Sequence, residues 1–213
     1  MRGTAHQELE LKSVVADPAA LREQLRSVGA MRGYAGLLRD RRYDRAGSLA
    51  ARDEVLRVRE YRHPDGSVSA ELTWKGPTRR SPDGYKQREE IEVVVAGAAG
   101  TAETAGTAGG LAAAEFLRAL GYEPVQTIDR WIETWQLEGA SVRIEWYPRM
   151  DVLVEVEGDP DAIERAIVAS GLERDGFTAE PLVVFAGRYR TRGQAPVLAL
   201  DELGGAAPTW EQR

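Results

Sequence analysis

Five short stretches of this chain alternate charged and apolar residues. They are Glu8-Leu9-Glu10-Leu11-Lys12, Leu56-Arg57-Val58-Arg59, Glu71-Leu72-Thr73-Trp74-Lys75, Arg88-Glu89-Glu90-Ile91-Glu92 and Val154-Glu155-Val156-Glu157. A period of two places the charged side chains of each stretch on one face of a β-strand. A half-buried strand with a solvated polar face explains any one of these stretches. Five of them together require a shared explanation.

The charged faces of these predicted strands carry both signs. The acidic candidates are Glu8, Glu10, Glu90, Glu92, Glu145, Glu155 and Glu157, and the basic candidates are Lys12, Arg57, Arg59, Lys75, Arg88, Arg130 and Arg143. Carboxylate oxygens suit a hard cation such as Mg²⁺ or Mn²⁺, whereas clustered Arg and Lys side chains suit phosphate oxygens. The combination matches a metal-bound polyphosphate, because the metal and the bases neutralise the same anion. The sequence has no Walker-type glycine loop that would bind phosphates in another way.

The elements that position these residues are predicted to be about eight strands and three helices. The strands cover residues 8–12, 31–44, 54–61, 69–75, 85–95, 125–137, 141–147 and 151–157. One helix runs from Asp17-Pro18 to Gly29, one covers residues 111–120, and one runs from Asp159-Pro160 to Gly171. Hairpin-like connections between strands indicate a mostly antiparallel sheet and therefore the α+β class.

The apolar faces of the strands indicate where the charged faces point. Leu9, Leu56, Trp74 and Val154 are large and suit packing beneath helices. The charged faces must then lie either in bulk water or inside a closed barrel. Burial of isolated charges is prohibitive, but a wet barrel that contains both signs can hold them in pairs.

The composition excludes several functional classes. The net charge of −6 argues against a general nucleic-acid-binding protein. The absence of cysteine excludes disulfides and thiolate metal sites. The start of the chain is polar and no stretch approaches the length of a membrane span, so we expect a cytoplasmic protein without a membrane partner.

One domain is predicted over residues 1–193. Within it, residues 96–110 are almost entirely Ala, Gly and Thr, which indicates a flexible surface loop. Residues 194–213 lack periodicity and are predicted to form a frayed C-terminal tail.

The charged motifs resemble, in content and order, those of the CYTH superfamily of triphosphate tunnel metalloenzymes. The matching residues are Glu8-x-Glu10-x-Lys12, Tyr43-Asp44, Leu56-Arg57-Val58-Arg59, Thr73-Trp74-Lys75-Gly76-Pro77, Arg88-x-Glu90-x-Glu92 and Glu155-x-Glu157. This superfamily includes class IV adenylyl cyclases, thiamine triphosphatases and inorganic triphosphatases. The resemblance implies an eight-stranded, mostly antiparallel closed β-barrel with flanking helices, in which the charged face lines a tunnel open at both ends.

The resemblance also implies roles for the charged residues. The metal-side carboxylates would be Glu8, Glu10, Glu90, Glu92, Glu155 and Glu157. The triphosphate would be bound by Lys12, Arg57, Arg59, Lys75, Arg88 and Arg130, and the catalytic residues would be Glu145, Lys75 and Lys12. Lys86, at the start of its strand, is expected to reach solvent.

The implied activity is that of a Mg²⁺- or Mn²⁺-dependent enzyme that processes a triphosphate. It would either cyclise the substrate, as a lyase of the adenylate cyclase type, or hydrolyse it, as a triphosphatase. ATP, thiamine triphosphate and inorganic triphosphate are the expected substrate classes, and no nucleic-acid partner is expected. Because related barrels are often dimers, a homodimer is expected as well.

Two residues depart from the family pattern. Arg130 is followed two positions later by Ile132, where a second base is usual, and Glu145 stands where an aspartate is usual. These departures leave open an alternative, in which the chain binds a triphosphate or polyphosphate but has lost turnover. If the sixth strand keeps its alternation, Arg130 and Ile132 point inward, whereas Trp131 and Trp135 pack outward against helices.

Overall fold

The computed structural model describes residues 4–82, 84–95 and 102–212, with side chains described for residues 9–82, 84–95 and 109–210. Within these residues the strands are β1 (Thr4–Val14), β2 (Met31–Asp44), β3 (Val55–Arg62), β4 (Val68–Lys75), β5 (Arg79–Arg80), β6 (Lys86–Val95), β7 (Glu123–Leu137), β8 (Ala140–Trp146) and β9 (Leu153–Glu157). The α-helices are α1 (Pro18–Ser27), α2 (Ala102–Ala119), α3 (Pro160–Ser170) and α4 (Leu182–Thr191).

Eight of the strands pair in a closed ring. Their order is β1-β9-β8-β7-β2-β3-β4-β6, and β6 also pairs with β1, while the two-residue β5 lies beside β6. The pairs β1/β9, β2/β3, β3/β4, β4/β6, β7/β8 and β8/β9 are antiparallel. The prediction of an α+β fold with an eight-stranded, closed and mostly antiparallel sheet is confirmed.

The residues divide into two compact units, and several strands contribute to both. The first unit consists mainly of Gly36–Arg79 and Arg88–Asp129, and the second mainly of Glu8–Ala35, Arg80–Gln87 and Arg130–Arg213. No helix in the described part of the chain is long and apolar enough to cross a membrane.

In the first unit, the apolar core lies where α2 packs on β3 and β4. The residues buried together there are Tyr43, Val58, Ala113, Ala114 and Leu117. Because side chains alternate along a strand, an inward Val58 directs Arg57 and Arg59 to the opposite face of the sheet. The packing of α2 thus decides which face of β3 carries charge.

The prediction of a flexible loop over residues 96–110 is wrong for residues 102–110, because these residues form the first half of α2. Residues 96–101 lie outside the described part of the chain. The composition that suggests a loop is rich in alanine, which has the highest intrinsic helix propensity. Burial of Ala113, Ala114 and Leu117 supplies the tertiary packing from which most helical stability in proteins derives.

In the second unit, α1 and α3 pack together, and α3 packs on the apolar face of β8 and β9. The carboxylate of Asp17 caps α1 by accepting a hydrogen bond from the Ala20 N–H at 2.9 Å. Helix α3 ends at Gly171, whose φ of 71° lies in the left-handed region. The buried apolar residues of this unit include Leu21, Leu25, Trp135, Val142, Val154, Val156, Ile163 and Ile167. The charged residues that alternate with them therefore point to the other face of the sheet.

Residues 194–213, predicted to be a frayed tail, are packed in the second unit over most of their length. Val197 forms an antiparallel bridge with Arg149, and Val197, Ala199, Leu203 and Trp210 are buried. The prediction is therefore wrong for residues 195–210. The segment shows no periodicity because its regular structure consists of short 3₁₀ turns, yet an irregular segment can still bury apolar side chains. Helix α4 was not predicted either, since no side-chain cap marks its start.

Candidate functional site

A first cluster of acids and bases, termed the Asp40 cluster, lies in the first unit. Its members are Asp40, Arg57, Arg59, Lys75, Glu90 and Glu92. They come together because residues directly opposite each other on antiparallel strands point to the same face of the sheet. Lys75 of β4 lies opposite Glu90 of β6, and Asp40 of β2 lies opposite Arg59 of β3. Four strands therefore supply one charged surface.

Glu90 is held by one base on each of its carboxylate oxygens. Arg57 Nη2 donates to Oε1 at 3.2 Å, and Lys75 Nζ lies 3.1 Å from Oε2. All three residues are buried. The side chain of Glu92 is more exposed, at 32%, and its Oε1 lies 3.9 Å from Arg57 Nη2, so its ion pair is weaker.

Asp40 binds Arg59 through two parallel hydrogen bonds. Arg59 Nε donates to Oδ1 at 2.7 Å and Nη2 donates to Oδ2 at 3.0 Å, and both residues are buried. Asp40 was not predicted from the sequence, because residues 39–42 are all charged and this hides the alternation. Arg39 and Arg41 point to the other face, where they pair with the buried carboxylate of Asp129 at 3.2 and 2.9 Å. A count of every second residue back from Asp44 would have placed Asp40 correctly.

Arg88, predicted as a phosphate ligand, donates to backbone carbonyl groups. Its Nε donates to the Gly76 oxygen at 2.6 Å, and its Nη2 donates to the Asp53 carbonyl oxygen. Arg88 Nη2 also lies 3.6 Å from Oδ1 of Asp53, whose side chain is exposed. Carbonyl groups do not neutralise a guanidinium, so Arg88 retains a positive charge that would attract an anion.

A second cluster, termed the Lys12 cluster, lies in the second unit. Its members are Glu10, Lys12, Lys86, Arg130, Arg143, Glu145, Tyr147 and Glu155. Lys12 of β1 lies opposite Glu155 of β9. Its Nζ contacts Glu155 Oε2 and lies 2.9 Å from Glu10 Oε1. Two buried carboxylates therefore converge on one ammonium group.

Two further bases complete the ion pairs of these carboxylates. Lys86 Nζ contacts Glu10 Oε1, and Arg143 Nη2 contacts Glu155 Oε1. The expectation that Lys86 reaches solvent is wrong, since its side chain is only 14% exposed. Pairing between β6 and β1 brings Lys86 to Glu10, and this pairing is not visible in a single strand's pattern.

Tyr85 anchors the chain immediately before Lys86. Its hydroxyl donates to Glu164 Oε1 of α3 at 2.6 Å, and Arg174 Nε lies 2.8 Å from Glu164 Oε2. Burial, together with the hydrogen bond to Glu164, raises the pKa of Tyr85 to about 12. The hydroxyl therefore remains a donor at neutral pH and holds the start of β6.

Glu145 of β8 is buried between two arginines and a tyrosine. Its Oε1 lies 3.0 Å from Arg130 Nε and 3.1 Å from Arg143 Nε, and its Oε2 accepts a hydrogen bond from the Tyr147 hydroxyl at 2.6 Å. Burial raises the pKa of Glu145. The positive charges of Arg130, Arg143 and Lys12 outweigh burial and lower that pKa to about 2. Burial and the charge of Glu145 raise the pKa of Tyr147, so its hydroxyl stays protonated.

We expect Glu145→Gln to destabilise the folded chain at neutral pH but not in strong acid. The folded-state pKa of Glu145 lies below its ordinary value of 4.5, so its charge stabilises the fold above that pH. This contribution, on the order of 3 kcal/mol, is lost as the pH falls through about 2. Denaturant unfolding between pH 7 and pH 2 measures it, with the exposed Glu173→Gln as control. Equal destabilisation by Glu145→Gln at both ends of the pH range would contradict the prediction.

Ile132 shares a face with Glu145, because the two residues are directly opposite in the β7/β8 pair. Ile132 is fully buried. Trp135 points to the other face, where Arg26 of α1 lies over its ring at 5.9 Å, and alternation places Trp131 on that face too. The predicted orientation of this strand is therefore confirmed, and an apolar side chain stands where a second base is expected.

The carboxylates of the Lys12 cluster fit a divalent cation together with a ligand that supplies further oxygens. Among the described side chains, no group of three or more His, Cys, Asp or Glu residues is arranged to hold a metal ion. Glu10 and Glu155 converge on Lys12, and Glu10 also lies opposite Glu157, a like-charge arrangement that favours a nearby cation. Mg²⁺ is commonly bound through one or two carboxylates plus substrate phosphates. The donor set fits that mode of binding.

The predicted site residues divide between the two clusters. Arg57, Arg59, Lys75, Glu90 and Glu92 lie in the Asp40 cluster, and Glu10, Lys12, Arg130, Glu145 and Glu155 lie in the Lys12 cluster. Glu157 is half-buried on β9, and the side chain of Glu8, on β1, lies outside the described side chains. Asp40, Lys86 and Tyr147 were not predicted as site residues, and Arg143 was predicted only as a basic candidate without an assigned role. Tyr147 lies two residues after Glu145, a spacing that signals a shared face.

Comparison with known proteins identifies relatives of this fold. A family model described as CYTH domain matches residues 6–168. A comparison with curated protein sequences gave no match.

Three solved structures illustrate the similarity. A Pyrococcus horikoshii protein is 24% identical, with a TM-score of 0.61 over 83% of this chain and 96% of its own. A candidate adenylate cyclase from Vibrio parahaemolyticus is 13% identical, with a TM-score of 0.65 over 86% of this chain and 99% of its own. A candidate adenylyl cyclase from Hippeastrum, described as having a dominant triphosphatase activity, is 16% identical, with a TM-score of 0.56 over 85% of this chain and 95% of its own. At these identities the similarity is one of fold.

Proposed function

Because this chain belongs to the CYTH domain family, we propose that it is an enzyme that binds a triphosphate with a divalent cation and either cyclises or hydrolyses it. The observation that carries the proposal is the convergence of the buried Glu10 and Glu155 on the Lys12 ammonium. Buried ion pairs are often no more stabilising than apolar packing of the same volume. The clustering of buried ion pairs in this chain therefore supports a role in binding a charged ligand.

Binding would occur by an exchange of ion-pair partners. Arg57 and Lys75 share Glu90, and Lys12 lies between Glu10 and Glu155. A phosphate oxygen can replace the carboxylates on Lys12, and Glu10 and Glu155 would then hold a cation that supplies positive charge beside that phosphate. Arg57 and Lys75 can likewise bind a phosphate oxygen within the Asp40 cluster. In the Lys12 cluster each buried charge then keeps an opposite charge, because the phosphate replaces the carboxylates on Lys12 and the cation replaces Lys12 on Glu10 and Glu155.

The remaining predicted ligands are carried into this proposal. The proposed phosphate ligands are Lys12, Arg57, Arg59, Lys75, Arg88 and Arg130, and the further proposed cation ligands are Glu8, Glu90, Glu92 and Glu157. A homodimeric state, a cytoplasmic location and the lack of a nucleic-acid partner stay predictions.

The three predicted catalytic residues differ in what their surroundings allow. Lys12 and Lys75 are compact positive charges that suit stabilisation of negative charge on phosphate oxygens. Glu145 has a pKa lowered to about 2, and two arginines and a tyrosine engage its oxygens. Such a carboxylate is a poor base at neutral pH. We therefore assign Glu145 to the positioning of Arg130 and Arg143.

Product identification tests the proposed activity. The full chain is incubated with ATP, thiamine triphosphate or inorganic triphosphate, with Mg²⁺, Mn²⁺ or excess chelator, and phosphorus NMR identifies the products. A cyclic nucleotide with pyrophosphate indicates a cyclase, and a diphosphate with inorganic phosphate indicates a triphosphatase. Calorimetric binding without any product would favour the binding-module alternative. Neither binding nor product with any of the three compounds would overturn the proposal.

We expect Lys75→Ala to weaken triphosphate binding by roughly 1–3 kcal/mol, the cost of losing a hydrogen bond to a charged group. Lys75 lies in the Asp40 cluster, paired with Glu90 at 3.1 Å. Arg79→Ala is the matched control, because it removes one positive charge from an exposed position of the same unit. Calorimetric titration measures both variants. Similar losses for the two would show that overall charge, and not Lys75 itself, governs affinity.

A further inference from the structure

The C-terminal segment of residues 195–210 lies beyond the residues that the family model matches. It packs against residues 147–149, which lie next to the Lys12 cluster. Val197 exchanges two backbone hydrogen bonds with Arg149, at 2.8 and 3.1 Å. Thr209 N–H donates to the Pro148 carbonyl at 3.0 Å, and Thr209 Oγ1 donates to the Tyr147 carbonyl at 2.7 Å. Three consecutive residues after β8 are thus bound by this segment.

The segment is itself firmly packed. Val197, Ala199, Leu203 and Trp210 are buried, with Ala199 only 1% exposed. Each buried apolar side chain stabilises the packed position of the segment by the hydrophobic effect. Thr209 directly precedes Trp210, so burial of the indole holds the threonine beside Tyr147 and Pro148.

The bound residues need such support because they lie outside the sheet. Strand β8 ends at Trp146, so Tyr147 lies beyond the strand's ladder of backbone hydrogen bonds. Pro148 has no N–H group, and its carbonyl is satisfied by Thr209. At Pro148 the segment therefore supplies the hydrogen-bond donor that a neighbouring strand supplies within a sheet.

Tyr147 connects this backbone to the charged cluster. Its side chain is 1% exposed, and its hydroxyl donates to Glu145 Oε2 at 2.6 Å. The other oxygen of Glu145 lies 3.0 Å from Arg130 Nε and 3.1 Å from Arg143 Nε. A shift of the Tyr147 backbone would therefore move the hydroxyl that fixes the carboxylate between the two arginines.

We infer that residues 195–210 form a positioning element for the site: they fix the backbone of Tyr147 and thereby hold Glu145, Arg130 and Arg143 in place. The consequence for triphosphate binding rests on the proposed function, in which Arg130 is a phosphate ligand. The expected displacement of the Tyr147 hydroxyl does not depend on the proposed function. Tyr147 and Thr209 are positioning residues, since they act through Glu145.

The test uses full-length variants that change one hydrogen bond each. Thr209→Val removes the donor to the Tyr147 carbonyl with little change in shape, and Thr209→Ser retains it. Thr191→Val is the matched control, because Thr191 Oγ1 makes a similar bond to the Arg188 carbonyl, at 2.8 Å, on the exposed end of α4. Tyr147→Phe removes the hydroxyl, and the double variant with Thr209→Val shows whether the two residues act in series.

Two measurements are made on each variant. Proton NMR detects the slowly exchanging hydroxyl proton of Tyr147, which a bond to a buried carboxylate shifts downfield. Calorimetry measures the affinity for inorganic triphosphate with Mg²⁺. We expect Thr209→Val to displace or broaden the hydroxyl signal and to weaken binding about fivefold. Thr209→Ser and Thr191→Val should retain the wild-type signal and affinity.

The double variant decides whether the segment acts through Tyr147. Residues that act in series are non-additive, so the double variant should bind no more weakly than Tyr147→Phe alone. Additive losses, or an unchanged hydroxyl signal in Thr209→Val, would overturn the inference. If Thr209→Val does not fold, Thr209→Ala, which removes the same donor to the Tyr147 carbonyl, gives the same test. If wild type binds no triphosphate, the proposed function fails, while the hydroxyl signal still decides the role of the segment.

Discussion

Glu10→Gln and Glu155→Gln are each expected to reduce metal-dependent turnover by on the order of 100-fold or more. Both carboxylates are buried, and both converge on the ammonium of Lys12. Glutamine keeps the shape of the side chain but removes the charge that would hold a divalent cation. The charge balance around the phosphates, and with it the stabilisation of the transition state, would be lost.

The measurement compares initial rates for the wild type and the variants with Mg²⁺ or Mn²⁺ and with excess chelator. Chelator should reduce the wild type to the level of the two variants, and thermal unfolding should show that the variants remain folded. Glu138→Gln, at a side chain that is 52% exposed, is the control and should keep full activity. Undiminished wild-type turnover in excess chelator would falsify the assignment of these carboxylates to a cation.

Asp40→Asn is expected to destabilise the folded chain by about 3–5 kcal/mol, because it leaves the charge of Arg59 buried without its carboxylate. Asp40 is 1% exposed and Arg59 is 4% exposed, and two hydrogen bonds of 2.7 and 3.0 Å join them. Arg57, whose Nη1 lies 3.8 Å from Asp40 Oδ2, would also lose a nearby negative charge. The penalty is large because the removal of one partner exposes the full cost of burying the other.

Denaturant unfolding measures this loss, with Asp65→Asn as control at an exposed turn of the same unit. A double variant, Asp40→Leu with Arg59→Leu, separates stability from binding. It should recover most of the stability, since an apolar pair of similar volume replaces a buried ion pair. It should still bind triphosphate weakly, because Arg59 is absent. A stability of Asp40→Asn within about 0.5 kcal/mol of wild type, the range of ordinary surface changes, would show that Arg59 finds another partner.

Much of the fold could be predicted from local sequence pattern. The period-two alternation in β1, β3, β4, β6 and β9 placed the charged side chains on one face, because the direction of a side chain depends on its own strand. The caps Asp17 and Gly171 marked helix ends for the same reason, since a cap acts on the residues next to it. Alternation also placed Ile132 on the face opposite to Trp131 and Trp135, where it lies opposite Glu145.

Local pattern was misleading where packing outweighs it. Residues 102–110 have the composition of a loop but join a helix that buries Ala113 and Leu117. Residues 195–210 have no period, yet Val197 and Trp210 are buried. Hydrophobic burial depends on what lies nearby in space and not on regular spacing along the chain.

The sequence by itself determined which residues are charged, which face of each strand carries them, and that those faces carry both signs. Only the tertiary structure decided which acid meets which base. Lys12 meets Glu155, Asp40 meets Arg59, and Lys86 meets Glu10, because strand order and register bring them together. Register is set by pairing between strands that are far apart in the chain. Partner choice, burial and the low pKa of Glu145 all follow from that pairing, so they are properties of the folded chain.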